Sequence, residues 1–138
     1  MSYLIDTNVI SELRRSRPSS AVERWFSQRD GRLLYISVLT IGELQKGINK
    51  TQDPQRRQNL MDWLESDVRR FFAGRILPVD ESIAVHWGQL VGTAAGPKPV
   101  IDSLLAATAR FHGLCLVTRN VSDFDYPGLE VFNPWNTL

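Results

Sequence analysis

The sequence predicts an α/β protein: a three-layer α/β/α fold with a mainly parallel central sheet covered by helices on both faces. Three observations carry this. Short apolar runs at Leu4-Ile5, Leu33-Leu34-Tyr35-Ile36, Ile76-Leu77-Pro78-Val79 and Leu114-Cys115-Leu116-Val117 are bounded by polar or turn-forming residues, as buried strands are. Between them lie stretches with apolar residues at helical spacing, and strands alternating with helices imply parallel pairing through right-handed crossovers. At 138 residues the chain is the size of one domain and can bury a core without disulfides or structural metals, so residues 1–138 read as a single domain.

The first strand runs into Asp6 and Thr7, and Val9, Ile10 and Leu13 then give a helix its apolar face. Arg14-Arg15-Ser16-Arg17-Pro18-Ser19-Ser20 is a polar break before a short helix carried by Val22, Trp25 and Phe26 and closed by Asp30-Gly31. Leu33 to Ser37 is a second strand, continuing directly into a helix over Val38 to Ile48. Asp53-Pro54 starts a long helix whose stripe of Leu60, Trp63, Leu64, Val68, Phe71 and Phe72 lasts to Gly74. After Ile76 to Val79, Asp80 caps a helix in which Ile83, Ala84, Trp87, Leu90 and Val91 face the core. Gly92 to Pro99 is a loop, Ile101 to Arg110 an Ala-rich helix able to pack close to a sheet, and Leu114 to Val117 a strand ending in Thr118-Arg119-Asn120. Leu129 to Phe132 is a last extended segment before the tail.

Lys plus Arg number 16 against 15 for Asp plus Glu, so a nucleic-acid partner must be met by a local patch rather than by net charge. Arg14, Arg15, Arg56 and Arg57 are candidates to bind phosphates or a partner's carboxylates. Cys115 is the single cysteine, so no intramolecular disulfide forms, which fits a reducing cytoplasm. No apolar run approaches the length of a membrane span and no export signal is visible; a soluble, cytoplasmic protein is expected. His86 and His112 lack the neighbours of a zinc cluster or a nucleophilic triad.

What remains is a set of acids at strand ends and helix starts: Asp6, Glu43, Asp102 and Asp123. Each also has a bland reading. Asp6 can cap its helix, Thr40-Ile41-Gly42-Glu43 fits a capping box, Asp102 is favoured in a first helical turn, and Asp123 suits a turn. Parallel strands, however, send their exits to one edge of the sheet, where four carboxylates would repel one another unless a cation intervened. Oxygen-only ligands favour Mg²⁺, with Mn²⁺ as a substitute, over zinc.

Four segments together carry a family resemblance: Leu4-Ile5-Asp6-Thr7-Asn8, Ile41-Gly42-Glu43-Leu44, Pro99 to Ala109 around Asp102, and Val117-Thr118-Arg119-Asn120-Val121-Ser122-Asp123-Phe124. They resemble PIN-domain ribonucleases, more narrowly the VapC and FitB-like toxins of type II toxin–antitoxin systems, over nearly the full length. The resemblance implies an endoribonuclease dependent on Mg²⁺, leaving 5′-phosphate and 3′-hydroxyl ends and restrained by a VapB-like antitoxin through which alone it would meet operator DNA. It also implies a homodimer, or a higher toxin–antitoxin assembly. By position, Asp6, Glu43, Asp102 and Asp123 match the catalytic and metal-binding acids, with Asp125 a competitor for the fourth place, and Asn8, Thr118 and Asn120 are candidates to position substrate or water. Two other readings stand beside it: a PIN-like module that binds an antitoxin with little nuclease activity, and aspartyl phosphoryl transfer. The second is disfavoured because Asn8 stands where such hydrolases place a second acid.

Overall fold

The structure, a computed structural model, describes residues 1–137. Among these residues five strands form one parallel sheet: β1 (Tyr3–Ile5), β2 (Leu34–Ser37), β3 (Ile76–Leu77), β4 (Cys115–Val117) and β5 (Val131–Phe132), in the order β3-β2-β1-β4-β5. The chain thus starts in the middle of the sheet, builds outward to β3, then returns to the other side of β1. That reversal makes the carboxyl ends of β1 and β4 the topological switch point, where open α/β sheets leave a crevice. Ile5 is in register with Val117, and the Asp6 N–H donates to Val117 O at 2.9 Å, so Asp6 and Thr118 emerge side by side at that crevice.

Helices cover both faces: α1 (Thr7–Arg14), α2 (Ser20–Ser27), α3 (Val38–Asn49), α4 (Pro54–Asp62), α5 (Arg69–Phe71), α6 (Glu81–Gly92) and α7 (Val100–His112). Alternate side chains of a strand point to opposite faces. Ile5 accordingly joins a core with Val9, Trp25, Ile36 and Leu64, and Leu4 joins the opposite core with Leu105, Ala106 and Leu116. Ala106, Ala107 and Ala109 are fully buried, so the expected small-residue face of α7 does sit against the sheet. Gly113, with φ at +67°, ends that helix in the left-handed region that a side chain disfavours.

Three expectations needed correction. The long helix from Pro54 is not uniform, because α4 passes into a π-helical segment (Trp63–Val68) before α5; the wider turn keeps Leu64 and Val68 inward and leaves Phe71 40% exposed. Ala84 is exposed, since Ile83 and Leu90 already occupy the buried line of α6. The second strand begins at Leu34, Leu33 being taken into a 3-10 turn (Gly31–Leu33) capped by Asp30. No helix among the described residues is long and apolar enough to cross a membrane.

Candidate active site

Asp6 is the fixed point of the crevice. It is only 8% exposed and caps α1: Thr7 N–H donates to its Oδ1 at 2.7 Å. Asp6 thus caps the helix and lines the crevice at once, so capping does not compete with a role as ligand. Its other oxygen, Oδ2, accepts from the Thr118 hydroxyl at 2.8 Å and, more distantly, from Asn8 Nδ2 at 3.4 Å. Thr118 is fully buried, and its hydroxyl oxygen accepts from Asn120 N–H at 3.1 Å and Asn8 Nδ2 at 3.2 Å. With both acceptor positions filled, the hydroxyl proton is aimed at Asp6. Thr118 thus lies beneath the pocket and holds Asp6, whereas Asn120 is exposed and lines the pocket. Asn8 is likewise committed, its Oδ1 accepting from Arg119 N–H at 3.2 Å.

Three of the four sequence-predicted acids, Asp6, Glu43 and Asp102, line one open pocket of about 510 Å³. Glu43 does not form the capping box. Ser37, at the end of β2, caps α3 three residues earlier by accepting from Leu39 N–H at 3.0 Å, which moves Glu43 into the second turn. There its carboxylate accepts from the Thr7 hydroxyl at 2.6 Å, tying α3 to the start of α1. Asp102 lies half-buried in the first turn of α7, where Pro99 offers no side-chain cap. Asp123 is exposed on a 3-10 turn (Val121–Phe124) anchored by buried Phe124.

The acids feel one another. Burial is the main influence raising the Asp6 carboxyl above its ordinary range; hydrogen bonds from Thr118 and Thr7 oppose it, and the charges of Glu43 and Asp102 push it further up. Asp102 is raised by burial, then by the charges of Asp123 and Glu43. Asp123 is thus connected to the pocket through its field on Asp102, while Asp125 is an exposed neighbour on the same segment. Among the described residues no three carboxylates, imidazoles or thiols lie close enough to make a ready-formed ligand shell. The acids are grouped by electrostatics around a common opening rather than around a shared point.

Glu12 and Arg15 also line this pocket, and no role was read for Glu12 in the sequence. Beyond them a larger cavity of about 840 Å³ shares Thr7, Ser11, Arg15 and Glu43 and extends to Arg14, Arg56 and Trp63. Arg14 stacks over the Trp63 ring with its guanidinium carbon 5.7 Å from the centroid. Arg57, in contrast, spends its Nε on Thr51 O at 2.9 Å. His86 packs edge-on against Phe111, which is followed by His112, and neither histidine lines either cavity.

The chain as a whole is similar to known proteins. The family model described as PIN domain matches residues 3–126. A VapC ribonuclease of Sinorhizobium fredii is 37% identical over 135 residues, covering 96% of each chain, and Toxin FitB of Neisseria gonorrhoeae is 36% identical over 136 residues, covering 96% of this chain and 98% of that one. Among solved structures, FitAB bound to a DNA fragment superposes with a TM-score of 0.89 at 32% identity, over 99% of this chain and 97% of that chain. With its switch-point acids and matches of this extent, the chain belongs to the PIN-domain family, among relatives named VapC ribonuclease and FitB toxin.

Proposed function

We propose that the protein is a Mg²⁺-dependent endoribonuclease, the toxin of a type II toxin–antitoxin pair. The observation that carries this is the pocket itself: acids just after β1, on α3 and on α7 face one opening at the switch point, and Asp6 and Asp102 are both held above their ordinary proton affinity by burial and by neighbouring negative charge, that of Glu43 acting on each. Such a group of carboxylates gains from a bound cation, and an all-oxygen donor set suits a hard one. Asp6, Glu43, Asp102 and Asp123 would hold the Mg²⁺, and Mn²⁺ should substitute. The ion, when bound, neutralises the acids, lowers the pKa of a coordinated water and screens charge developing on an RNA phosphate.

The chain's own groups do the rest. Thr118 and Asn8 keep Asp6 oriented toward the pocket, and Thr7 does the same for Glu43. Asn120 offers a side-chain amide at the rim to a phosphate oxygen or water. The adjoining cavity supplies Arg14 and Arg56 for the backbone and the Trp63 ring for a base, a combination suited to single-stranded RNA. The naming of the relatives as VapC ribonuclease and FitB toxin supports this reading, as does the occurrence of FitB-like chains in a FitAB assembly on DNA. On the same grounds the partner is a VapB-like antitoxin, operator DNA is met through it, the toxin is a cytoplasmic homodimer, and assembly with the antitoxin blocks the site.

Metal removal tests the reading directly. Antitoxin-free protein should cleave bulk bacterial RNA in Mg²⁺ or Mn²⁺, lose that activity in EDTA and regain it on readdition of either ion. Undiminished cleavage in EDTA would remove the metal from the proposal. Absence of cleavage in either ion, with antitoxin binding intact, would leave an interaction module in place of a nuclease.

A further inference from the structure

Glu12 is a buried acid at the edge of the pocket that the proposed chemistry does not use. It sits in α1, 6% exposed. Its Oε2 accepts from Ser19 N–H at 2.8 Å and its Oε1 from Arg15 Nη1 at 3.3 Å, while Arg15 N–H donates to Glu12 O at 3.1 Å. An extra negative charge beside a site for a polyanion is a liability, since it repels phosphate and is itself costly to bury. The Ser19 N–H, followed by Arg15, lowers the Glu12 carboxyl below its ordinary range, so the charge is kept.

What the charge secures is Arg15. Its side chain is 66% exposed, yet its backbone closes α1 and its guanidinium is tied to Glu12, so both ends of a long flexible side chain are constrained. Arg15 is also common to both cavities, at the passage from the acid pocket to the part lined by Arg14, Arg56 and Trp63. Among the described residues only Nη1 of its guanidinium is hydrogen-bonded, which leaves Nε and Nη2 for the paired bonds that a phosphate accepts.

We propose that Glu12 is a positioning residue for RNA: it fixes Arg15 at the passage between the two cavities, where Arg15 grips a phosphate of the strand leaving the acid pocket. The inference rests on the ribonuclease reading. Its sign is what makes it testable. Removing a negative charge near an RNA site should by electrostatics alone tighten RNA, whereas losing the support of Arg15 weakens it.

Glu12→Gln keeps an oxygen acceptor for Ser19 N–H and removes the charge. On bulk bacterial RNA in Mg²⁺, this variant should raise KM about threefold with kcat nearly unchanged, the size of one good ion pair. Arg15→Ala should raise KM about tenfold, as expected for a lost charge-assisted contact, and Arg15→Lys should restore little of it. The double variant should be no worse than Arg15→Ala. A lower or unchanged KM for Glu12→Gln, or an effect that adds in full to that of Arg15→Ala, overturns the proposal. So does an unchanged KM for Arg15→Ala, a surface substitution that should not endanger folding, since Arg15 would then serve a protein partner. Wild-type protein that cleaves no RNA in Mg²⁺ or Mn²⁺ brings down the ribonuclease reading and this inference with it; cleavage with normal Glu12→Gln kinetics brings down this inference alone.

Discussion

Asp6 and Asp102 face the same pocket but are held in opposite ways. Asp6 is nearly buried and receives hydrogen bonds from Thr7 N–H and the Thr118 hydroxyl, with Asn8 behind. Asp102 is half-exposed, no hydrogen bond is made by its carboxylate among the described residues, and its surroundings consist of burial and the like charges of Asp123 and Glu43. The wall built on β1 and β4 is thus preorganised, and the wall built on α7 and the following 3-10 turn is adjustable. The difference has a physical source. Paired central strands determine where Asp6 and Thr118 lie, whereas Asp102 and Asp123 project from a helix start and a turn where no hydrogen bond among the described residues holds their carboxylates. A cation held between them would be gripped by the first wall and would draw the second wall in.

The contrast is strongest in substitutions of the rigid wall. Asp6→Asn should leave the fold intact, because Asn also caps helices, and should reduce RNA cleavage by more than about 100-fold, above the usual loss for an outer partner of a metal site. Thr118→Val is the sharper test. It removes the hydroxyl that directs Asp6 and strips the partner from Asn120 N–H, so cleavage should fall about 10–100-fold although Thr118 is too buried to touch RNA. Thr118→Ser should restore most of the activity. If Thr118→Val cleaves at the wild-type rate in Mg²⁺, Asp6 needs no such support and the distinction between the walls is lost.

On the adjustable wall the effects should be smaller and graded by distance. Asp123→Asn removes the charge that acts on Asp102 and should cost about tenfold in cleavage at limiting Mg²⁺, narrowing as the ion approaches saturation. Asp125→Asn should change the rate by less than about twofold, as for a solvated surface charge. A reversed order would assign the fourth acid to Asp125.

The two walls also differ in how far the sequence reveals them. Strand order is not written in any local pattern, yet alternating apolar runs and helical faces were enough to expect a parallel sheet with Asp6 at its edge, and both observations hold in the structure. Other features depended on competition between local signals. Thr40 and Glu43 have the spacing of a capping box, but Ser37 captures the helix start first because β2 runs straight into α3, and Glu43 is thereby released toward Thr7. Thr118 looked available to substrate because it follows a strand in a polar run; only the register of β1 with β4 shows that it is buried under Asp6. The π-helical segment has no signature in a stripe that reads equally well as a regular helix. Glu12 was overlooked because its partner Ser19 lies across a loop whose closure the sequence does not specify.

The smallest effect probes the second wall without any catalysis. An acid whose pKa is raised in the folded state holds its proton there at pH values where the unfolded chain has released it. For Asp102 this means that stability falls as pH rises from the ordinary carboxyl value of about 4 through the raised folded value, and that the full penalty is present at neutral pH. The helix dipole favours a charge at this position by about 0.3–1 kcal/mol and acts against the penalty from burial and the neighbouring acids. In EDTA, Asp102→Asn should therefore melt above the wild type at pH 7, by about 1–3 °C given the solvent screening of a half-exposed group. That gap should close as pH falls toward about 4, where the wild-type carboxyl is itself protonated. Differential scanning calorimetry on both proteins across this range makes the comparison, and using the difference cancels Glu12 and Asp30, whose lowered pKa values act in the opposite sense in each. Adding Mg²⁺ at pH 7 should raise the melting temperature of the wild type more than that of the variant, because the ion relieves the repulsion that the substitution has already removed. A variant that melts lower than the wild type at pH 7, or a gap that ignores pH, would mean that the Asp102 carboxylate is held by favourable partners rather than left among burial and like charges.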